Sequence, residues 1–364
     1  MSFTLPPYPY DRLAPIIEAA KQHEGGAVEC SIGTPCDAPP QVALDAFANA
    51  TSHRGYPMSF GSENYRGATA SWLKRRFGVD VTNDQIAACV GTKEFVASLA
   101  QHLHLRSPER DTVLYPAISY PTYAMSAQLA NLRAVPVRIE NGRLDLDSID
   151  PKDAARALVL WSNSPSNPTG QLDNLGAAAA WGRANGVLVA SDECYAEFTW
   201  ASAPRSILQH GIEGVIAVHS ISKRSNLAGV RAGFYAGDPE IVGFLRSVRQ
   251  HAGLMVPGPV QEAVAAAYRD DTHVDIQRTI YRRRLELVRA GLEAAGIETP
   301  MPEGTFYLWG RGAEGNGFAT AQMLAERSGL VVSPGELYGE DARAFIRVAV
   351  VQPDEALARA VARL

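Results

Sequence analysis

The sequence predicts an α/β fold in which helices cover a mainly parallel, mixed sheet, and a smaller α+β domain follows it. Between about residues 85 and 240, short apolar runs rich in β-branched residues alternate with amphipathic or alanine-rich stretches. This alternation is typical of strands connected by helices. The runs are apolar throughout, and strands of that kind are buried on both faces, as in a parallel sheet.

Short apolar runs are predicted to form the strands of the larger domain. Helical connections between them favour parallel pairing, because a parallel pair needs a long crossover connection. In chain order the runs are TVLY at Thr112–Tyr115, AVPV at Ala134–Val137, ALVLWS at Ala157–Ser162, GVLVAS at Gly186–Ser191, GVIAVHS at Gly214–Ser220 and AGFYAG at Ala232–Gly237.

The pattern changes from about Asp271 onward. A long charged helix, TIYRRRLELVRAGLEAAG, precedes a strand-like GTFYLWG, an amphipathic FATAQMLAERSG and a further strand, AFIRVAVV. This order suits a smaller α+β domain. GRGAEG at Gly310–Gly315 matches the GxGxxG pattern of dinucleotide sites, but no room for a full dinucleotide-binding unit remains there, so we predict a turn.

Composition and charge exclude several classes of protein. Of 364 residues, 46% are hydrophobic and 20% are charged, which is ordinary for a globular chain with a large core. A formal net charge of -5 and scattered arginines give no basic surface, so we do not expect nucleic acid as a partner. No apolar run approaches the roughly 18 residues of a membrane helix, and MSFTLPPYPYDRL lacks a signal-peptide pattern. We expect a cytoplasmic protein without membrane contact, whose cysteines lack CxxC spacing and are reduced thiols.

Polar residues follow the predicted strands at the sheet edge where ligands gather in open α/β folds. The residues are Asn167 after ALVLWS, Asp192 and Tyr195 after GVLVAS, and Ser220, Ser222, Lys223 and Arg231 at the end of GVIAVHS and beyond it. In an earlier loop, Gly91 and Thr92 open a predicted helix. Its free N–H groups and the positive end of its dipole favour a phosphate.

Together these residues supply the groups that pyridoxal phosphate requires. Its aldehyde needs an amine such as Lys223, and its ring nitrogen needs a carboxylate such as Asp192 to stay protonated. The ring hydroxyl needs donors such as Asn167 and Tyr195, and the phosphate needs Arg231 with hydroxyls and helix N–H groups. Each residue alone is more commonly a turn, cap or surface residue. Their occurrence at successive strand ends of one domain favours a coenzyme site.

Several motifs give the chain a resemblance to a known family. They are SIGTP at Ser31–Pro35, GYP at Gly55–Pro57, GTKE at Gly91–Glu94, YPTY at Tyr120–Tyr123, NSPSNPTG at Asn163–Gly170, SDECY at Ser191–Tyr195, SISKRSNLAGVRAG at Ser220–Gly233 and FIRVAV at Phe345–Val350. Over nearly its whole length the chain resembles the class I/II aminotransferases of fold type I, which use pyridoxal phosphate.

The resemblance implies roles for the predicted site residues. Lys223 would form the Schiff base with the coenzyme and then act as the base, Asp192 would face the pyridine nitrogen, and Tyr195 would face the ring hydroxyl together with Asn167. The remaining coenzyme contacts would be Ser220, Ser222, Arg231, Gly91, Thr92 and Lys93 at the phosphate and Tyr120 stacked on the ring.

The resemblance also implies how substrates and subunits are arranged. Arg347 would hold the substrate's α-carboxylate, helped by Gly33 and Asn167. Tyr56 would reach a phosphate in the neighbouring subunit, which implies a homodimer with active sites at the subunit interface.

Residues 1–40 would be the N-terminal segment of the small domain, residues 41–270 the large coenzyme-binding domain and residues 271–364 the C-terminal small domain. An amino acid and a 2-oxo acid would react in turn, with ping-pong kinetics.

Longer stretches at both ends and around Lys223 resemble the actinobacterial-type succinyldiaminopimelate aminotransferases of lysine biosynthesis. That resemblance implies N-succinyl-LL-2,6-diaminopimelate and 2-oxoglutarate as substrates. Both carry a distal anion, so a second cationic contact is expected. Arg54, Arg224 and Lys93 are candidates, although each is more commonly a structural or surface residue.

Other functions remain open at this point. A broader aspartate, alanine or aromatic specificity, or a cysteine-conjugate β-lyase, would share the coenzyme residues and differ only in the pocket. Ser220-Ile221-Ser222-Lys223 also fits the SxxK pattern of penicillin-interacting serine enzymes, but SDN and KTG partners are missing from the sequence. His102 and His104 are two apart on a predicted helix and point to different faces, so no metal site is expected.

Overall fold

The computed structural model describes residues 6–312 and 315–364, and these divide into two compact units. The larger unit comprises Asp37–Thr279 and Glu303–Thr305. The smaller unit comprises the described residues of Met1–Cys36, Ile280–Pro302 and Phe306–Leu364. The finer domain limits expected from the sequence, at residues 40 and 270, remain a proposal.

Helices and strands are numbered here along the chain. The helices are α1 Ala14–Gln22, α2 Gln41–Ala48, α3 Glu63–Phe77, α4 Thr92–Arg106, α5 Thr122–Leu129, α6 Pro151–Arg156, α7 Leu175–Asn185, α8 Ile221–Arg224, α9 Pro239–His251, α10 Gly258–Arg269, α11 Thr272–Ala294, α12 Gly317–Ser328 and α13 Asp354–Val361. The strands are β1 Val28–Glu29, β2 Ile86–Cys89, β3 Thr112–Pro116, β4 Arg133–Val137, β5 Ile139–Glu140, β6 Arg143–Leu144, β7 Ala157–Asn163, β8 Leu188–Asp192, β9 Val215–Ser220, β10 Gly233–Gly237, β11 Tyr307–Arg311, β12 Leu330–Val331, β13 Ser333–Pro334 and β14 Phe345–Ala349.

The large sheet of the larger unit has the spatial order β2, β10, β9, β8, β7, β3, β4. From β9 to β4 all neighbouring strands are parallel. Strand β10 is antiparallel to both of its neighbours, β2 and β9. The predicted α/β class with a mainly parallel, mixed sheet is therefore confirmed. Strand β2 was not predicted, because its four residues, IAAC, are too short to show a period.

Both faces of this sheet are buried, which explains why its strands are apolar throughout. Along β7, Leu160 belongs to the apolar cluster on one face and Trp161 to the cluster on the other. Residues of α3, α7 and α10 belong to the first cluster, and residues of α4, α5 and α9 belong to the second. Each fully buried large apolar side chain contributes about 1.5–3 kcal/mol, so the sheet is a rigid base for the residues at its edge.

Local signals at the helix ends set the strand boundaries. The Asn174 side chain accepts the Ala177 N–H at the start of α7, and Gly186 ends that helix with a φ of +60°. Because Gly186 terminates the helix, β8 begins at Leu188 rather than at Gly186 as predicted. The corrected strand still ends at the same sheet edge, with Asp192 as its last residue.

The smaller unit has a sheet of its own. Strand β14 is antiparallel to β11 and β13, and β1 pairs in parallel with β12. The predicted strands GTFYLWG and AFIRVAVV correspond to β11 and β14, and FATAQMLAERSG corresponds to α12. The predicted turn at Gly310–Gly315 includes Ala313 and Glu314, which lie outside the described residues. None of the helices in the described ranges has both the length and the hydropathy of a transmembrane span.

Candidate active site

Asp192 ends β8 and lies beside the end of β7. In the parallel pairing of these strands, Asn163 is opposite Asp192. The Asn163 side chain donates to the Asp192 carbonyl oxygen at 2.8 Å and accepts the Asn167 N–H at 2.7 Å. One amide therefore ties the loop after β7 to the end of β8 and holds Asn167 near Asp192, as expected for adjacent parallel strand ends.

The Asp192 carboxylate is buried, and both of its oxygens accept hydrogen bonds. Only 7% of the residue is exposed. Tyr123 Oη donates to Oδ2 at 2.9 Å, and the Cys194 N–H donates to Oδ1 at 3.2 Å. Burial raises the pKa of Asp192, whereas hydrogen bonds from Cys194 and Tyr123 and the nearby His219 oppose that rise. A cationic partner would offset the desolvation of this carboxylate.

Lys223 lies on α8, which follows β9 directly. The Ser220 hydroxyl accepts the Ser222 N–H at 3.1 Å and so caps the start of α8. Lys223 is half-buried. Burial and Asp192 raise the pKa of the Cys194 thiol well above its usual value, and the Lys223 ammonium acts in the opposite direction. The amine and the carboxylate are therefore within electrostatic reach of the same thiol.

Arg231 and the start of α4 form a cradle for an anion. Gly91 precedes α4 with a φ of +77°, and a Cβ built on it would lie 2.3 Å from Nη2 of Arg231. Only glycine leaves room for the guanidinium there. Gly233 pairs with Ser220 across β10 and β9, and a Cβ on Gly233 would lie 3.1 Å from Cγ2 of Thr92. The end of β9, the guanidinium and the first amides of α4 thus converge.

This donor set fits pyridoxal phosphate. The cradle that a Cβ at Gly91 would fill combines helix amides with a guanidinium, which suits a phosphate. The buried carboxylate of Asp192 suits a protonated ring nitrogen, and the half-buried Lys223 supplies an amine. Ser222 is buried on α8, and Lys93 is exposed in the first turn of α4. The coenzyme contacts predicted at these positions remain predictions.

Tyr120 and Tyr195 lie next to residues that bind Asp192. Tyr195 directly follows Cys194, is 6% exposed and precedes the 3-10 turn Ala196–Phe198. The Tyr120 ring meets the Tyr123 ring edge-on, with their centroids 6.0 Å apart. Both tyrosines therefore belong to the segments that surround the carboxylate. Their contacts with the coenzyme ring remain predictions.

Gly33 and Arg347 belong to the smaller unit, where both contact Tyr307. A Cβ on Gly33 would lie 2.1 Å from the Tyr307 hydroxyl, and the Arg347 guanidinium carbon lies 4.1 Å from the centre of the Tyr307 ring. Arg347 is 2% exposed, and its Nη2 donates to the Ser31 carbonyl oxygen. The structure thus brings these two predicted substrate contacts together. Tyr56 of the larger unit is 98% exposed.

The candidates for a distal-anion contact differ in their surroundings. Arg54 and Lys93 are exposed. Arg224 is only 3% exposed, and its guanidinium pairs with Glu197 and with Asp271. Arg224 therefore has the structural role that is more common for such a residue and not that of a substrate contact, because carboxylates of its own chain already occupy its donors.

Sequence analysis did not assign roles to several residues that shape this site. Asn163, Tyr123 and Cys194 each hydrogen bond to Asp192. They were present in the motifs NSPSNPTG, YPTY and SDECY, but nothing in a linear motif indicates which polar side chain faces which neighbour. The only indication for Tyr123 is its place in the YPTY motif, three residues after Tyr120.

Comparison with known proteins agrees with this geometry. The sequence model of the family described as aminotransferase class I and II matches residues 27–364. The 4-dedimethylamino-4-oxo-anhydrotetracycline transaminase OxyQ of Streptomyces rimosus is 42% identical, with 99% of each chain aligned. The LL-diaminopimelate aminotransferase of Aquifex aeolicus is 33% identical over 99% of this chain and 96% of its own. A solved structure, a probable N-succinyldiaminopimelate aminotransferase of Thermus thermophilus, is 28% identical with a TM-score of 0.87, covering 98% of each chain.

Proposed function

Because the chain belongs to the class I and II aminotransferase family, we propose that it transfers the amino group of N-succinyl-LL-2,6-diaminopimelate to 2-oxoglutarate. The enzyme is a pyridoxal-phosphate-dependent transaminase. The observation that supports the site is the convergence of Lys223, Asp192 and the Gly91–Arg231 cradle at one edge of the large sheet.

Each of these residues has a task that its chemistry suits. When bound, pyridoxal phosphate draws electrons from the substrate's α-carbon into its protonated ring. Lys223 Nζ takes the proton from that α-carbon and returns a proton later in the turnover. Asp192 holds the proton on the ring nitrogen, and Arg231 with the α4 amides holds the phosphate. Arg347 binds the substrate carboxylate as a two-pronged donor.

Relatives with related names support the proposed substrate. The relative from Aquifex aeolicus acts on LL-diaminopimelate, and the structural neighbour from Thermus thermophilus is described as acting on its N-succinyl form. Stretches at both ends of this chain and around Lys223 resemble aminotransferases that act on the N-succinyl form. The end of the substrate distant from the reacting amino group carries carboxylates. An exposed cation such as Arg54 or Lys93 could bind them.

A panel of amino donors with 2-oxoglutarate tests this substrate. We expect kcat/KM for N-succinyl-LL-2,6-diaminopimelate to exceed that for LL-diaminopimelate and for aspartate by at least about tenfold, or about 1.4 kcal/mol. The appearance of glutamate measures turnover. Equal or better turnover of the unsuccinylated amine would contradict the proposed substrate while leaving the transaminase activity intact.

One observation favours a second candidate substrate. OxyQ is 42% identical to this chain, a higher identity than the 33% of the Aquifex aeolicus relative, and its name identifies a 4-oxo-anhydrotetracycline as its substrate. A polycyclic ketone would be the amino acceptor in that case. Adding such a ketone to the same panel, with glutamate as donor, distinguishes the two candidates by their relative kcat/KM.

The panel also separates transamination from lyase chemistry. A β-lyase releases pyruvate and ammonia from cystathionine without any 2-oxo acid. We expect no such release from this protein and a strict requirement for the second substrate. Comparable rates for aspartate, alanine and aromatic donors would indicate the broader specificity instead.

A homodimer in the cytoplasm is part of the proposal. Tyr56 supports it, because a tyrosine with 98% of its surface exposed has little to contact within its own chain. Leu44, Phe47 and Met58 are also large, apolar and between 41% and 49% exposed. A surface of this kind is typical of an interface between subunits.

A further inference from the structure

The phenol of Tyr123 occupies a fixed position beside Asp192. Tyr123 is fully buried on α5, and its ring stacks on Trp161 with centroids 5.0 Å apart and planes 26° apart. The Ser126 hydroxyl donates to the Tyr123 carbonyl oxygen at 2.7 Å. The stacked ring is enclosed on α5, and its Oη lies 2.9 Å from Asp192 Oδ2.

Tyr123 must be the donor in this hydrogen bond, because an ionised carboxylate only accepts. Burial and the Asp192 charge raise the pKa of Tyr123 well above its usual value, so the phenol keeps its proton throughout the neutral range. A buried donor without this partner would lose the free energy of the bond and remain desolvated. Breaking the hydrogen bond between Tyr123 and Asp192 would therefore cost free energy, so this bond connects α5 to the end of β8.

Several groups bear on the charge of Asp192, each from an element packed around it. Tyr123 on α5 and Cys194 after β8 donate hydrogen bonds, and His219 on β9 lowers the carboxyl pKa. Lys223 on α8 acts electrostatically on the thiol of Cys194, two residues after Asp192. Asn163 on β7 is uncharged and bonds to the Asp192 backbone. Burial opposes them by raising the pKa of Asp192, so each donor helps to keep the group ionised.

We infer that Tyr123 is a positioning residue of this transaminase, whose hydroxyl orients the Asp192 carboxylate and keeps it ionised so that it can hold the proton on the coenzyme's ring nitrogen. The inference rests on the proposed role of Asp192 and adds a residue that acts through it. A purely structural role would require only the aromatic ring, which fills the space beside Trp161. The hydroxyl and the ring can therefore be tested separately.

Tyr123→Phe removes the hydroxyl and keeps the ring. Tyr268→Phe is the matched control, because Tyr268 is also buried in the larger unit and its hydroxyl has no hydrogen-bond partner among the described residues. Each protein is titrated with pyridoxal phosphate and, separately, with an analogue that carries carbon in place of the ring nitrogen. The dissociation constants are measured between pH 5 and pH 8.

Tyr123→Phe should raise the dissociation constant for pyridoxal phosphate by about tenfold, because a hydrogen bond to a charged group is lost. The constant for the ring-carbon analogue should stay within about twofold of that of the unmodified protein, since the analogue has no ring proton to hold. With its pKa raised further, Asp192 should lose its charge at a higher pH as the solution is acidified. Weakened coenzyme binding should therefore begin at a higher pH in Tyr123→Phe, whereas Tyr268→Phe should match the unmodified protein.

Equal losses for the coenzyme and the analogue would assign Tyr123 to packing alone and overturn the inference. Unchanged affinities for both ligands at every pH would do the same. Neither result would affect the proposed substrate, which the amino-donor panel measures with the unmodified protein. Failure of N-succinyl-LL-2,6-diaminopimelate as a donor would likewise leave the role of Tyr123 standing.

Discussion

Lys223 and Arg224 are neighbours in the chain, yet their side chains lie in different surroundings. Arg224 is buried and pairs with Glu197 and Asp271, whereas Lys223 is half-buried and acts electrostatically on the Cys194 thiol. Successive residues of a helix do not face the same way, so α8 directs the two cations to different places. One cation is thereby fixed in the core, and the other is left as the amine of the site.

Gly91→Ala tests the anion cradle at the residue scale. The new Cβ would lie 2.3 Å from Nη2 of Arg231, and alanine is strained at a φ of +77°. Arg231 must shift, so we expect the dissociation constant for pyridoxal phosphate to rise by about tenfold or more, following the loss of a charge-assisted contact. A fluorescence titration with the coenzyme measures the change.

Gly67→Ala is the control for that substitution. Gly67 lies within α3, is exposed, and has nothing within 4 Å of an added Cβ. Alanine should therefore be neutral or stabilise the protein by about 0.5–1 kcal/mol, because it is the better helix former. Equal coenzyme affinities in Gly91→Ala and in Gly67→Ala would contradict the cradle.

The sequence indicates which residue types belong to this site more reliably than it indicates which side chains contact one another. Asp192 and Lys223 could be selected because each follows an apolar strand, where parallel sheets place ligands. Tyr123 could not be selected as the partner of Asp192, because 69 residues separate them and only the packing of α5 brings them together. The partners of Arg224 could not be identified for the same reason, since they lie 27 and 47 residues away.

At the scale of elements, a buried ion pair anchors the helix that carries Lys223. Glu197 Oε2 accepts hydrogen bonds from Arg224 Nε and, at 3.2 Å, from Trp72 Nε1. Its other oxygen, Oε1, forms an ion pair with Arg76, whose Nε lies 2.6 Å away. Both Glu197 and Arg224 are 3% exposed. Through this carboxylate α8 is connected to α3, so the position of Lys223 depends on contacts far from it in the chain.

Glu197→Ala should strongly destabilise the protein, because it removes the buried carboxylate that pairs with Arg224 and leaves only the partly exposed Asp271 as counter-charge. Loss of one partner of a buried pair costs about 3–5 kcal/mol in the free energy of unfolding. Urea denaturation measures this loss. Asp80→Ala, which removes an exposed partner of Lys74, is the control and should cost less than about 1 kcal/mol. Similar losses in the two variants would show that the Glu197 pair is not the anchor.

Helices α11 and α13 of the smaller unit are joined by Asp354. Its Oδ1 accepts Arg284 Nε at 2.6 Å, and Arg283 binds the other oxygen. Hydrogen bonds from Arg284 lower the pKa of Asp354, with burial opposing and Arg283 adding to the effect. The carboxylate also lies in the first turn of α13, where a negative charge is favoured by the helix dipole.

Asp354→Asn should therefore destabilise the protein in a pH-dependent way. A carboxyl whose pKa is lowered on folding stabilises the fold above its unfolded pKa of about 3.9 and loses that contribution as the pH falls through its folded value. Asp354 is 41% exposed and partly screened, so we expect a difference of about 1 kcal/mol at pH 7 that begins to narrow below about pH 4. Urea denaturation at pH 7 and at pH 3.5 measures this difference in the free energy of unfolding. An equal difference at both pH values would contradict a stabilising role for the Asp354 charge.

Element boundaries were predicted where local chemistry marks them. Helix α4 begins at Thr92 after a glycine, as expected, and β9 ends at Ser220. The start of β8 was misplaced because Gly186 was assigned to the strand rather than to the end of α7. Strand β2 was missed, since its pairing with β10 depends on a partner 144 or more residues away.

At the scale of the whole molecule, fold and family could be predicted and the substrate could not. The coenzyme residues are local to strand ends, so the motifs carry them, and the fold follows from apolar periodicity. The proposed substrate contacts come from distant segments of the chain, as with Gly33 and Arg347, which meet only at Tyr307. Relatives acting on different compounds share between 33% and 42% identity with this chain, which shows how little of the sequence fixes the choice of substrate.

The proposed homodimer gives a prediction for Tyr56. The protein should sediment with twice the 39.1 kDa of one chain. Tyr56→Phe removes a phosphate donor proposed to act in the neighbouring subunit, so the dissociation constant for pyridoxal phosphate should rise by about tenfold. Tyr8→Phe, a change at another exposed tyrosine, should leave the constant unchanged. A monomer with unaltered affinity in Tyr56→Phe would contradict the shared site.

The attachment of the coenzyme to Lys223 is the central claim, and chemical reduction tests it most directly. Lysine occurs in this sequence only at positions 21, 74, 93, 152 and 223. The purified protein is saturated with pyridoxal phosphate, reduced with borohydride, digested and analysed by peptide mass spectrometry. We expect one phosphopyridoxyl group per chain, on Lys223, and none in Lys223→Ala. Stoichiometric labelling of another lysine, or none at all, would contradict it.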